Sequence, residues 1–225
     1  MPQAFGKITF LAAGVCLCTL FLLIYPEGEL CRLFEYALVI LCFAFACGHR
    51  GEDMDGLLAM LALLCTAGAD FFLVALREEQ WIPGMGVFCF AQFFWALRLL
   101  CLEAGGRRIV RGLVWALSCG TLMVVAVILG RGADTLLLLS AAYASFLLTT
   151  VFFSWLTPRN LLFTVGMTLF LGCDFFVMVN TAALYLDMEA FPLLKTLQDI
   201  PFNMMWALYG PSQMLLALSS AKSGR

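Results

Sequence analysis

Two short phrases place a carboxylate inside an apolar run: GADFFLV at Gly68–Val74 and GCDFFVM at Gly172–Met178. A charge at such depth in hydrocarbon costs at least ~2.5 kcal/mol on insertion scales, so Asp70 and Asp174 each call for a partner or a function. Two carboxyls in one dry site cannot easily both ionise. Such a dyad offers a general acid beside a carboxylate base or cation stabiliser. Gln92, Tyr209 and Gln213 are candidates for orienting the pair or a bound oxygen, with Asn180 and Asn203 as further candidates. Structural explanations stand beside this one. Asp70 could pair with Arg77 one heptad on, or hydrogen-bond to Thr66 one turn back, and the nearest same-face polar neighbour of Asp174 is Thr181. A buried glutamine is equally suited to interhelical bonding.

Other catalytic signatures are missing. The sequence contains no G-x-S-x-G, no H-E-x-x-H and no phosphate-binding loop. Its ten cysteines form no C-x-x-C pair, and the sole histidine, His49, is expected in a loop. No metal, disulfide framework or cofactor is therefore expected. An enzyme built from these residues is an acid–base hydrolase or isomerase acting on a lipid. The competing class is a transporter or channel whose aspartates couple protons.

The elements that position these residues follow from composition. The chain is 63% hydrophobic and 12% charged, far too apolar for a soluble domain. At about 20 residues per crossing, it parses into eight spans at 8–25, 30–48, 56–76, 81–102, 110–129, 134–156, 161–186 and 201–220. These fill residues 1–225 as one all-α integral membrane domain. The first reads as a retained helix, because Lys7 gives a weak basic region and no small-x-small cleavage site precedes YPEGE. Asp187–Ile200 suggests a short interfacial helix with Phe191, Leu194 and Leu197 along one face.

With the N-terminus inside, one side of the membrane holds Lys7, Arg50, Arg107, Arg108, Arg111, Arg159, Lys222 and Arg225, against Arg32, Arg77, Arg131 and Lys195 on the other. This excess places both termini in the cytoplasm of a cell-membrane protein. Arg98, near the cytoplasmic end of the fourth span, is expected to snorkel. A net charge of −2 provides no basic surface for nucleic acid.

A repeat runs through these spans. At an offset of 104 residues, Leu57, Leu58, Gly68, Asp70, Phe71 and Phe72 match Leu161, Leu162, Gly172, Asp174, Phe175 and Phe176. The following helices also correspond, Phe88–Leu97 (FCFAQFFWAL) with Tyr209–Leu218 (YGPSQMLLAL), so that Gln92 matches Gln213. Four crossings separate the two aspartate helices, so they run parallel. The expected halves are 1–104 and 105–225, related by a pseudo-twofold axis along the membrane normal, with Asp70 and Asp174 facing each other near it.

AGADFFLVAL…GMGVFCFAQFFWALRLL, LFLGCDFFVMVN and WALYGPSQMLLALS resemble the hallmark segments of the YhhN-like lysoplasmalogenase family. The resemblance covers most of the chain. In that family the third-span motif is Gly-Asp, the seventh Ser-Asp and the last Tyr-x-x-Ala-Gln, which Asp70, Asp174, Tyr209 and Gln213 match. Ala69 and Cys173 depart from the residues before the aspartates, and Ser212 stands for the alanine. The fourth-span His-x-x-Tyr pattern reads Gln92-x-x-Trp95, and glutamine cannot take over acid–base work from a histidine. The resemblance implies hydrolysis of the vinyl-ether bond of a lysoplasmalogen to a fatty aldehyde and a glycerophospho-base, with a lysophospholipid as the partner and no metal. It also implies Asp70 and Asp174 as the acid–base pair.

Overall fold

The computed structural model describes residues 2–24, 27–51, 53–76, 80–101, 106–129, 135–156, 160–182, 188–200 and 202–221. Among them, runs of Leu, Ala, Phe and Met form nine α-helices. These are α1 Pro2–Thr19, α2 Gly28–His49, α3 Met54–Asp70, α4 Trp81–Cys101, α5 Gly106–Leu129, α6 Thr135–Leu156, α7 Leu161–Ala182, α8 Pro192–Gln198 and α9 Met204–Ser220. In hydrocarbon every backbone N–H and C=O must bond internally, which a helix achieves within its own segment. Two helices continue as π-helical turns, α1 through Leu20–Ile24 and α3 through Phe71–Ala75. The second begins one residue after Asp70.

Side chains set several boundaries. Asp53 caps α3 by accepting from the Gly56 N–H at 3.0 Å, and Asn203 caps α9 by accepting from the Trp206 N–H at 3.2 Å. Pro192 opens α8, where its missing N–H costs nothing. Gly28 begins α2 at φ +88°, a conformation that glycine takes up without the Cβ clash other residues meet. His49 is not in a loop. It ends α2 with its ring stacked on Phe45 at 4.3 Å.

Six segments are long and apolar enough to cross a membrane: Phe5–Ile24, Gly28–His49, Met54–Ala75, Trp81–Cys101, Leu138–Leu156 and Leu161–Thr181. The molecule is thus a multi-pass helical membrane protein. The other two expected spans are α5, whose apolar stretch is Val110–Val124, and α9. The latter is shortened to 17 residues by the Asn203 cap and carries Pro211 inside. The interfacial segment is present as one 3₁₀ turn, Met188–Ala190, followed by α8, with Phe191 and Leu193 exposed. Among the residues of the charge comparison, Arg77, Arg131, Arg159, Lys222 and Arg225 lie outside the described residues, as do the side chains of Arg107 and Arg108.

Helix packing has a paired pattern. The two most extensive contacts are α3 with α4 and α7 with α9. Around them, α1–α2 corresponds to α5–α6, α2–α3 to α6–α7, and α2–α9 to α6–α4. Small residues permit close approach. Ser212 donates to the Gly166 carbonyl at 2.8 Å where α9 meets α7.

The end of the bundle holding the α3 cap is locked by Arg98. It is 2% exposed, so it does not snorkel. Its Nε and Nη2 donate to Asp55 Oδ1 and Oδ2 at 2.7 and 2.8 Å, while Nη1 and Nη2 donate to the Ser219 hydroxyl and carbonyl at 2.7 and 2.9 Å. The guanidinium also lies 5.0 Å from the Phe163 ring centroid. Asn160 Nδ2 adds a bond to the same Ser219 carbonyl at 3.0 Å. Arg98 thereby ties α4 to α3 and α9, and a buried forked ion pair of this kind is better satisfied in place than in lipid.

At that end Gly56 lies against backbone: an added Cβ would stand 2.5 Å from the Gly51 carbonyl oxygen and 2.8 Å from its nitrogen. Neither atom can swing aside as a side chain would. Gly56→Ala is expected to destabilise the protein by about 1–3 kcal/mol, read as a lower midpoint of thermal unfolding in detergent. An unchanged midpoint would show that the Gly51 backbone gives way freely.

Candidate active site

Asp70 ends the regular part of α3 and is 3% exposed. Its Oδ2 accepts a 2.6 Å bond from the hydroxyl of Tyr209, 139 residues away on α9. Asp174, half-buried on α7, is held in the same way: its Oδ2 accepts from the hydroxyl of Tyr143 on α6. On each aspartate Oδ1 takes no hydrogen bond among the described residues. Each carboxyl is thus anchored through one oxygen and free at the other. The two lie close enough to interact electrostatically.

Aromatic packing fixes the tyrosines. Phe88 packs edge-on against Tyr143 (5.8 Å between ring centroids) and Phe170 (6.1 Å), and Phe170 packs against Tyr209 at 5.3 Å. Trp206 holds the other side of Tyr209 at 5.0 Å. A continuous line of rings from Tyr143 to Tyr209 therefore connects the two carboxylate clamps, with an edge-to-face preference at every step.

Gln92 and Gln213 are both fully buried; Gln92 lies within reach of the Tyr143 hydroxyl, and Gln213 has no hydrogen-bond partner among the described residues. Gln92 neighbours Tyr143, and Gln213 is one turn from Tyr209 on α9. Buried amides are nearly always bonded, and an orphaned one costs roughly 1–3 kcal/mol. Their placement beside Tyr143 and Tyr209 puts both amides next to the clamps.

The two threonines offered as structural partners of the aspartates bond elsewhere. The Thr66 hydroxyl donates to the Ala62 carbonyl of its own helix at 3.0 Å, and Thr181 donates to Val177 at 2.9 Å. Arg77 lies outside the described residues. Asn180 is not brought to the cluster: it is exposed, and its amide faces the Met205 sulfur at 3.5 Å. Asn203 serves as the α9 cap instead.

Two residues escaped the sequence reading. Tyr143 was a single hydroxyl in an apolar run, AAYASF, and that polar atom at mid-span was the available signal. Glu35 lies inside α2, 4% exposed, accepting from the Cys31 thiol at 3.4 Å and close enough to Asp70 to interact electrostatically. A glutamate seven residues into the second apolar run could have been noticed for the same reason.

The clamps themselves can be tested. Tyr209→Phe and Tyr143→Phe remove one hydroxyl each and little packing. We expect each to lower turnover about 10- to 100-fold while leaving the thermal midpoint within a few degrees, because a mispositioned carboxyl fails before the fold does. Equal loss of stability and activity would identify the tyrosines as structural only.

A helical bundle with a tyrosine-clamped carboxylate pair and buried amides in its interior defines a class: a polytopic membrane protein with polar groups inside its bundle. A family model described as the YhhN family matches residues 30–220, so the chain belongs to the YhhN family. No curated protein and no solved structure matches it.

Proposed function

We propose that this protein is a membrane hydrolase that cleaves the vinyl-ether bond of lysoplasmalogens, releasing a fatty aldehyde and a glycerophospho-base. The observation that carries the reading is the pair Asp70 and Asp174, each clamped by a tyrosine through Oδ2 and open at Oδ1. A vinyl ether hydrolyses when an acid protonates its β-carbon. The resulting oxocarbenium ion is stabilised by a carboxylate and captured by water, and the hemiacetal then collapses to aldehyde and alcohol. One carboxyl supplies the proton and the other faces the cation, the division of labour that carboxyl pairs adopt at an oxocarbenium-like centre in glycosidases. Gln92 and Gln213 orient the ether oxygen or the water with their buried amides.

On this reading α5 and α9 complete eight crossings with both termini cytoplasmic, and the halves are parallel repeats; the paired helix contacts and the 104-residue offset support it. A proton-coupled transporter or lipid-binding protein is the alternative. The buried layer of Trp95, Ala96, Leu216 and Ala217, between the glutamines and Arg98 along α4 and α9, favours a site closed at that end. The test is aldehyde release from lysoplasmenylethanolamine by purified protein in detergent. Proton-coupled flux in proteoliposomes without any aldehyde would reject hydrolysis.

A further inference from the structure

At the Gly28 end of α2, a cleft of about 330 Å³ is lined by Glu29, Leu30, Arg32, Leu33, Tyr36 and Ala75. Arg32 is half-buried there and makes no hydrogen bond or ion pair among the described residues, although Glu35 is near enough to interact electrostatically. The Tyr36 hydroxyl, one turn further along α2, is likewise without a hydrogen bond among the described residues. An exposed arginine is satisfied by water, but a half-buried one facing a cleft is suited to an oxyanion, and guanidinium matches phosphate geometry in a fork.

The cleft adjoins the Asp70 end of the carboxylate site. Tyr36 packs against Phe71 at 6.4 Å between centroids, interacts electrostatically with Asp70, and shares the cleft with Ala75, the last residue of the π-helical turn that Asp70 precedes. The π-helical turn widens the backbone between the two, as such turns do near functional sites.

We propose that this cleft seats the phosphodiester of a lysophospholipid headgroup, bound by the Arg32 guanidinium and the Tyr36 hydroxyl, while the ether linkage between glycerol and chain of the same lipid reaches Asp70 and Asp174. The identity of the lipid rests on the hydrolase reading above. The phosphate contact does not. Arg32 and Tyr36 are one helical turn apart on α2, so both side chains can reach a single phosphodiester.

The test is binding of an alkyl-ether lysophosphatidylethanolamine, which has no vinyl bond to cleave, to purified protein in detergent by titration calorimetry. Arg32→Gln is expected to weaken binding at least about tenfold, the ratio set by one lost charge-assisted bond of about 1.4 kcal/mol. Arg32→Lys is expected to weaken it less, and Tyr36→Phe about threefold. An alkylglycerol lacking the phosphate should bind wild type and Arg32→Gln equally weakly, so the two deletions are non-additive. Wild-type affinity in a folded Arg32→Gln overturns the proposal; if that variant does not fold, wild-type affinity in both Arg32→Lys and Tyr36→Phe overturns it. Displacement of the lipid by inorganic phosphate at concentrations below those needed with glycerophosphoethanolamine assigns the cleft to free phosphate and rejects the headgroup. Tight, Arg32-dependent binding without aldehyde release from the vinyl-ether lipid supports the seat and rejects hydrolysis alone. Aldehyde release by Arg32→Gln at wild-type KM rejects the seat alone.

Discussion

Asp70→Asn and Asp174→Asn are each expected to reduce aldehyde release from lysoplasmenylethanolamine by about 10²- to 10⁴-fold, the span that a positioned general acid or base contributes. The substitution is nearly isosteric. An asparagine carbonyl can still accept from Tyr209 or Tyr143, so the ring line through Phe88 and Phe170 is preserved and the fold should persist. What is lost is the carboxyl chemistry: an amide neither donates a proton to carbon nor places a negative charge beside an oxocarbenium ion. The double variant should be little worse than either single one, because residues that act as one unit are non-additive. Full activity in either folded single variant would exclude that aspartate from the chemistry.

Asp55→Ala is expected to destabilise the protein by about 3–5 kcal/mol, the usual result of removing one partner from a buried ion pair. Its Arg98 partner is 2% exposed and would keep only its bonds to the Ser219 hydroxyl and carbonyl. Arg98→Met is expected to cost less, because the Asp55 side chain is 26% exposed and can recover water. The double variant should regain part of the loss relative to Asp55→Ala alone. The measurement is the midpoint of thermal or detergent-induced unfolding. Equal midpoints for wild type and Asp55→Ala would show that the ion pair contributes no net stability.

Much of the candidate site was legible because two stretches of similar sequence carry it. Asp70 and Asp174 were conspicuous as carboxylates in apolar runs, and Gln92 and Gln213 occupy equivalent positions in the helices that follow. The structure brings Tyr209 to Asp70 and buries both glutamines, Gln213 with no hydrogen bond among the described residues. Tyr143 was invisible to this argument because its contact to Asp174 crosses between helices and leaves no spacing signal. Asn180 was a candidate by residue type alone, and its placement at the exposed end of α7 shows how little type says about which face a residue takes.

The sequence by itself determined the solvent, the helical content and the family. Hydrocarbon admits no unpaired backbone, so long apolar runs of this composition have to become helices. It also determined which rare polar residues carry meaning, since each is expensive at depth. Only the tertiary structure decided who meets whom: Asp70 with Tyr209, Asp174 with Tyr143, and Arg98 turned inward to Asp55 and Ser219 rather than outward to the membrane surface. Those choices depend on helix rotation and on which helices become neighbours. Local pattern does not encode either, because a Leu- and Phe-rich surface packs almost equally well on several faces. The polar contacts that single out one arrangement join residues from 31 to 139 positions apart.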